Sequence, residues 1–550
     1  MPVTTSYPGI YIEELPSASH SVSAAPTSVT VFVGYTNPFW MGPPNATTPP
    51  PFGAAVELFS FADYQAYFGG FFTSPWLPDY VGQAVFQFFM NGGSDAFVVA
   101  LPAVNEFYFD ATGKVTTTKI AAATAALVKG GNGFTFTALQ PVGIAGTPDL
   151  GLTMTLTVSN IITTGGVTDD TADLTIVYGT TVETYRRLLI GDLVATVSAR
   201  SRLASVVATG APTTYDVLPP MPVSFIYAKP PTAGWTTIDP LAFGGVFADN
   251  APLDKVSIFN LMALPGLTDP TALAEALSYC ERKRAFFIMD PPATAVADAL
   301  AETLPSAPAN PAPMADIWNG AAVNTPPTPA PPVSPNGAIY FPYLQTTDPV
   351  TGAAAISPPS GFVAGIFARE DNNRGVWKSP AGLETTILGT TGVVPSGNMT
   401  DPQQGVLNQL GVNCLRTFPG IGSVVFGART LVSMNSAFEQ WKYVAVRRMA
   451  LFIEQSLYGS LGWAIFEPND IPLWNALTQE VQAFMLGLFR QGAFQGATAD
   501  QAFQVVCDST TTSQADIDNG IVNILVGFAP LKPAEFVVVQ IAQLAGQTQS

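Results

Sequence analysis

Two alternations of apolar and polar positions divide the chain. From Ser28 the order is strand, then helix: SVTVFVGY is an apolar run, Phe61 to Phe68 reads as a short helix, and Asp79 caps a helix that aligns Val81, Val85 and Phe88 before Gly92-Gly93 ends it. Ala96 to Leu101 follows as a strand. The same alternation returns with a strand at Val256 to Met262, a helix opened by Asp269-Pro270 with Leu273, Leu277 and Cys280 on one face, and strands at Ala285 to Met289 and Ala338 to Phe341. Apolar strands separated by helices predict a doubly wound, mainly parallel sheet. Between the two runs, over 103–249, a period of two takes over in FTFTAL, LTMTLTVS and DLTIVYG, with Gly-rich breaks, and predicts an all-β insertion.

The last third turns helical. Asn435 to Tyr458 carries Tyr443, Val446, Ala450, Ile453 and Leu457 at spacings of three and four, and Trp441, Met449 and Phe452 form a second stripe, so this helix is expected to be buried on more than one side. Asp470 caps the next helix, with Pro472 in its first turn and Leu477, Val481, Phe484 and Leu488 on a face. Thr498 to Gln501 fits a capping box for a third, and strands are predicted at Phe503 to Cys507, Ile521 to Phe528 and Glu535 to Ile541. At the other end, Tyr7-Pro8-Gly9 is turn material. Ile10 to Leu15 is a short strand, with Ile10 and Ile12 on one side and Tyr11 and Glu13 on the other, and Pro16 to Ser19 is linker. A lone strand is not stable, so this one must join a sheet edge in its own chain or in a neighbour.

At 550 residues the chain exceeds one core, and several domains are expected. Only 11% of residues are charged against 47% hydrophobic, which fits a protein that hides much of its surface against copies of itself or a partner, or one with a Thr-, Ala- and Pro-rich exterior. A net charge of −18 argues against nucleic acid, whose phosphates are bound by Lys and Arg. Cys280, Cys414 and Cys507 are odd in number and far apart, as expected for reduced, buried thiols. The N-terminus has no basic segment before an apolar run, and no uncharged apolar stretch approaches bilayer length; cytoplasmic assembly without direct membrane insertion is the expectation.

Catalytic chemistry finds little material. The one histidine, His20, lies in the N-terminal linker, which removes Ser-His-Asp triads and multi-histidine metal sites; no metal and no cofactor are expected. The segment from Ser357 to Gly365, SPPSGFVAG, resembles the part of subtilisin-type proteases in which a nucleophilic serine opens a helix. Ser357 stands at the nucleophile's place, but two prolines follow it and Phe362 replaces a histidine. The resemblance implies a shared fold without the activity. The Gly-rich runs lack the Lys-Ser/Thr of a P-loop, and Asp516 to Gly520 lacks the twelfth-position acid of a calcium loop, so it reads as a helix or hairpin turn. Arg447-Arg448, amid apolar neighbours, points to a structural ion pair with a carboxylate such as Glu454, Glu467 or Asp470 rather than to a ligand site.

Several segments in one order, YPGIYIEELP, TSVTVFVG, SPPSGFVAGIFAREDNNRGVWKSPAG, GVNCLR, FGARTL, YVAVRRMALFIEQSL, FEPND, GAFQG, CDSTTT and APLKPAEFVV, resemble the tail sheath proteins of contractile phage tails and contractile injection systems. The resemblance implies an α/β and α+β multidomain chain. Its parts would be an N-terminal arm (1–20), a catalytically dead subtilisin-like domain (21–102 and 250–408, with a Pro-rich loop at 305–335) and an outward-facing β-rich insertion (103–249). An inner C-terminal domain (409–533) and a C-terminal arm (534–550) would complete it. It further implies stacked, hexameric rings around an inner tube, contacts with baseplate and terminator or cap proteins, and contraction from a metastable extended state. The orphan strands then become inter-subunit connectors, through Ile10, Tyr11, Ile12 and Glu13 at one end and Phe536, Val537, Val538 and Val539 at the other. The helix from Asp470 to Arg490, with Gln482, is a candidate tube-facing element, against packing within its own domain as the alternative. A surface-layer or capsid-like protein and a degenerate protease are the competing functional classes.

Overall fold

The apolar runs form β1 (Thr30–Tyr35), β2 (Ala55–Leu58), β3 (Ala96–Leu101), β12 (Leu261–Ala263), β13 (Phe286–Met289), β14 (Gly337–Phe341), β18 (Val412–Phe418) and β19 (Gly422–Phe426). These make one sheet in the order β19-β18-β14-β13-β12-β1-β3-β2. The central strands are parallel, and β2 and β19 close the edges antiparallel. The computed structural model describes residues 21–37, 52–72, 77–101, 123–139, 142, 153–163, 170–215, 222–227, 240–292, 334–394, 399–433, 436–536 and 538–539. The arm 1–20 and the loop 305–335 (through 333) lie outside them.

Every residue of β1 and β14 is buried because helices cover both faces of the sheet. Alternate side chains separate the layers. Val31, Val33, Met262, Phe287 and Ile339 share a core with Leu273, Leu277 and Cys280 of the helix Pro270–Lys283. From the other face Phe32 meets Phe88 of the helix Tyr80–Met90, and Phe286 and Tyr340 meet Phe367 of the helix Ser360–Arg374, with ring centroids 5.6 to 6.3 Å apart.

The insertion contains β4 (Ala123–Lys129), β5 (Asn132–Ala138), β6 (Met154–Ile162), β7 (Thr171–Tyr178), β8 (Thr181–Leu189), β9 (Ala204–Thr209), β10 (Val223–Ser224) and β11 (Ile226–Tyr227). They form two four-stranded sheets, β10-β6-β7-β8 and β11-β4-β5-β9. Leu127, Phe134 and Phe136 from one and Leu156, Leu174 and Ile176 from the other fill a common core. The region is not all-β: the helix Leu193–Arg200 sends Leu193 and Val197, four apart on one face, into that core. A small sheet, β16-β15-β17, comprises β15 (Leu344–Thr347), β16 (Ala354–Ser357) and β17 (Gly392–Val393), and the ribbon β20-β21 comprises β20 (Phe503–Val506) and β21 (Leu525–Phe528).

The chain divides into two compact units. Among described residues, the larger spans 26–448 and the segment from 532 onward, and the smaller spans 21–25 and 449–531. An inner domain beginning at 409 is therefore corrected: β18 and β19 extend the main sheet, with Asn413 in register with Tyr340 of β14.

Tertiary pairing also moved several element ends. The predicted helix from Asn435 begins only at Val444, after a 3₁₀ segment at Ser436–Trp441. Arg429 forms a bridge with Tyr443, and the Thr430 amide donates to the Lys442 carbonyl, which takes this stretch of backbone out of the helix. The strand expected from Val256 starts at Leu261: Pro252–Lys255 is a 3₁₀ turn, and Asn260 accepts from the Val29 amide while donating to the Pro26 carbonyl. The strand expected from Ile521 is confined to Leu525–Phe528, because Gly520, at φ 71°, ends the helix Gln514–Asp518 and the Ile521 amide donates back to the Asp516 carbonyl. That helix carries the capping box, between Ser513 and Asp516; Thr498 precedes a helix but makes no side-chain cap. The described residues of Glu535 to Ile541 lie in no strand of this chain.

Candidate assembly surface

In open parallel sheets, ligands bind beyond the carboxyl ends of the strands, where the strand order reverses. Here that position is filled. Gly266, three residues beyond the end of β12, adopts φ 70°, and a Cβ there would lie 2.1 Å from the ring of Tyr80, so the aromatic ring packs on bare backbone. Tyr343 stands 6.4 Å from Tyr80, ring to ring. Ser357 is fully buried, and its hydroxyl has no hydrogen-bond partner among the described residues. Ser360, one helical turn on, is committed to structure: its amide and hydroxyl donate to the buried Asp290 carboxylate at 2.8 and 2.7 Å, and the Gly266 amide adds a third bond at 3.0 Å. Among the described residues no imidazole stands beside this sealed serine, so they supply no base to activate it.

Burial pushes the Asp290 carboxyl up to about 6, against its hydrogen bonds, and pushes Asp79 up to about 8 despite bonds from the Phe72 and Gly82 amides, with Asp348 adding repulsion. A raised carboxyl means that the folded state holds its proton more tightly than the unfolded chain. The stability contributed is complete below about pH 4 and is lost as pH rises through 6 and then 8. The free energy of unfolding should therefore fall from pH 6 to pH 8, by up to about 1.4 kcal/mol per pH unit from Asp79, and the unfolding midpoint with it. The Asp79→Asn chain, which keeps an acceptor for the helix cap, should show a flatter profile and a higher midpoint at pH 8; an unchanged slope would contradict this.

The two terminal segments are held by different units. In the smaller one, the Ser23 and Ala25 amides donate to the hydroxyls of Ser460 and Ser456, each at 3.0 Å. Ile10, Tyr11, Ile12 and Glu13 lie outside the described residues. In the larger unit, Glu535 receives a two-pronged contact from Arg429, Nε to Oε1 at 2.9 Å and a terminal nitrogen to Oε2 at 2.6 Å, and the Tyr443 hydroxyl stands 3.3 Å away. Burial alone would raise the Glu535 carboxyl, but the hydrogen bonds and charge of Arg429, with Lys442 and Tyr443, hold it below the usual range. Directly beyond it Phe536, Val538 and Val539 are 75 to 81% exposed; Val537 is not among the described residues. The sequence reading missed Arg429 and Glu535. A usable signal existed: in a chain with so few charges, an arginine following an apolar strand needs a carboxylate.

Within the smaller unit, β20 and β21 pair only with each other among the described residues, leaving two open edges. Beside β20 runs a groove of about 680 Å³, lined by Gln482, Ala483 and Leu486 on one wall and by Asp500, Phe503 and Val505 on the other. The helix Ile471–Arg490 buries Leu473, Trp474, Leu477, Val481, Met485 and Leu488. Asp470 caps it, its carboxylate accepting from the Ile471 amide, and Gln482 and Arg490 are exposed. At about 100° per residue these three side chains project roughly 120° and 80° apart, so they do not share one stripe.

The structural ion pair expected of the arginine pair is formed by Arg448, with Asp371 as its carboxylate. Arg448 binds Asp371 at 2.8 and 2.5 Å, with side chains 3% and 1% exposed, and Arg447 donates to Asn336 and covers the ring of Trp441. No helix among the described residues is long and apolar enough to cross a membrane.

Residues 253–431 match the family described as the phage tail sheath protein central domain, and residues 436–543 match the phage tail sheath C-terminal domain. The tail sheath protein of Vibrio phage KVP40 is 27% identical over 179 residues, covering 32% of this chain and 25% of the phage protein. A prophage major tail sheath protein of Pseudomonas aeruginosa is 30% identical over 199 residues, 35% of this chain and 48% of that one. The chain thus spans a quarter to about half of the curated relatives it matches. The fold is similar to the contracted sheath of an extracellular contractile injection system, with a TM-score of 0.54 and 21% identity over 98% of this chain and 99% of that one.

Proposed function

Because the chain belongs to the phage tail sheath family, we propose that it is the structural subunit of a contractile sheath, a cylinder that polymerises around an inner tube and shortens to drive that tube through a target envelope. The observation that supports the mode of assembly is that one chain carries both a two-stranded ribbon, β20-β21, and exposed apolar side chains at Phe536, Val538 and Val539. A two-stranded ribbon is marginal alone. Exposed Phe536, Val538 and Val539, and the Ile10 to Leu15 strand of the sequence, are suited to add to β20 or β21 of neighbouring copies, where backbone bonds supply affinity and alternate side chains set the register. Donor and acceptor surfaces differ, so the contact is heterologous and propagates into a helical array.

In this reading the larger unit is a subtilisin-like scaffold without activity; the buried Ser357 and the crevice filled by Tyr80 support it. The smaller unit lines the tube, the insertion faces outward, and the rings are hexameric, capped by a terminator and seated on a baseplate. A six-fold symmetrised baseplate of the anti-feeding prophage, similar in fold, supports that symmetry. The stroke needs no nucleotide: interfaces formed on shortening supply the free energy, and a kinetic barrier holds the extended packing.

The test is removal of residues 1–20 from the full chain. The expected result is a folded, soluble protein that forms no striated hollow cylinders in electron micrographs, whereas the intact chain forms them. Normal cylinders from the truncated chain would sink strand exchange by the N-terminal arm, and absence of cylinders from the intact chain at high concentration would sink the sheath reading.

A further inference from the structure

We propose that the Arg429–Glu535 pair is a fixed pivot, which sets where and in what direction the C-terminal segment leaves the subunit and passes load from that segment into the main sheet. This rests on the strand-exchange reading above. Four observations carry it.

First, Glu535 lies in no helix or strand among the described residues, and its side chain ties it to Arg429. Second, the tether is a fork. Two parallel bonds to one carboxylate fix rotation as well as position, which a single lysine contact does not do. Third, the anchor is rigid. Arg429 also donates to the Asn408 carbonyl at 2.9 Å, while Asn413 of β18 accepts from its amide and donates to its carbonyl, both at 2.7 Å. Asn413 donates further to the Ile339 carbonyl of β14, so the contact continues into the centre of the parallel sheet. Fourth, exposure changes abruptly: the side chains of Arg429 and Glu535 are 7% and 12% exposed, and the next residue, Phe536, is 75% exposed. The apolar segment available to a neighbour begins at the residue directly after the buried anchor.

A pivot matters because strand addition requires the donor to arrive in one register and one orientation. A segment swivelling from a loose attachment pays ordering entropy at every contact of the array. The same attachment stays with its subunit while rings move, so the segment pulls on the sheet through Arg429.

The experiment uses the full chain with three sets of substitutions, and reads the fraction sedimenting as cylinders at fixed concentration together with the unfolding midpoint of the soluble fraction. Glu535→Ala should lower the sedimenting fraction about tenfold, the factor expected when a charge-assisted fork is lost, with the soluble fraction still folded at the assay temperature. Wild-type assembly by Glu535→Ala overturns the pivot. Should Glu535→Ala unfold early, Arg429→Lys, which keeps the charge and loses the fork, decides: reduced assembly supports the pivot and parental assembly overturns it. Phe536→Asp with Val538→Asp separates the two claims. If that pair assembles normally, strand exchange itself fails; if it abolishes assembly while Glu535→Ala does not, only the pivot fails.

Discussion

Replacing Asp371 by alanine is expected to cost the larger unit about 3–5 kcal/mol, because it leaves the Arg448 guanidinium buried without a counter-charge. Arg448 has few alternatives. It already donates to the Thr27 carbonyl at 2.9 Å and lies over the Phe367 ring at 4.7 Å, and its side chain is only 3% exposed. The contact joins the helix Ser360–Arg374 to the start of the helix Val444–Ser460, two elements far apart in sequence. Denaturant unfolding should show a midpoint shift at constant slope, with Asp371→Asn intermediate, since the amide retains one acceptor. A loss under about 1 kcal/mol, the range of exposed pairs, would contradict a buried role.

Gly365→Val should be comparably damaging, at roughly 3 kcal/mol or more, or should prevent folding. The helices Tyr80–Met90 and Ser360–Arg374 meet backbone to backbone: a Cβ at Gly365 would lie 2.6 Å from the Phe88 carbonyl oxygen, and one at Gly361 would lie 2.4 Å from the Ala84 Cα. The two glycines are one turn apart on one face. Alanine at position 365 should also destabilise, despite its better helix propensity of about 1 kcal/mol, because backbone must move to accept it. Unfolding midpoints decide; a Gly365→Val chain as stable as the parent would mean that the helices do not touch.

This seam explains the segment that most resembled a protease. Gly361 and Gly365 in SGFVAG serve close helix packing, Ser360 holds Asp290, and Ser357 is sealed, so each of these positions has a structural role. The doubly wound sheet was legible because strands buried on both faces must read as apolar runs, and β3 and the helix Phe61–Phe68 emerge with the predicted limits. Toward the candidate surface the sequence offered only two apolar terminal segments, of which Ile10 to Leu15 lie outside the described residues and Phe536, Val538 and Val539 are exposed. Nothing in local periodicity links Arg429 to Glu535, or Arg448 to Asp371 in place of Glu454, Glu467 or Asp470.

By itself, then, the sequence determined the kinds of element, the layered α/β class and the scarcity of catalytic groups, since these follow from side-chain spacing and from a single histidine. Tertiary structure decided where the helix before Val444 breaks, that β18 and β19 belong to the main sheet, and which carboxylates answer the buried arginines. These choices are made by groups 77 and 106 residues apart, brought together by packing, and a pattern of period two or 3.6 carries no record of them.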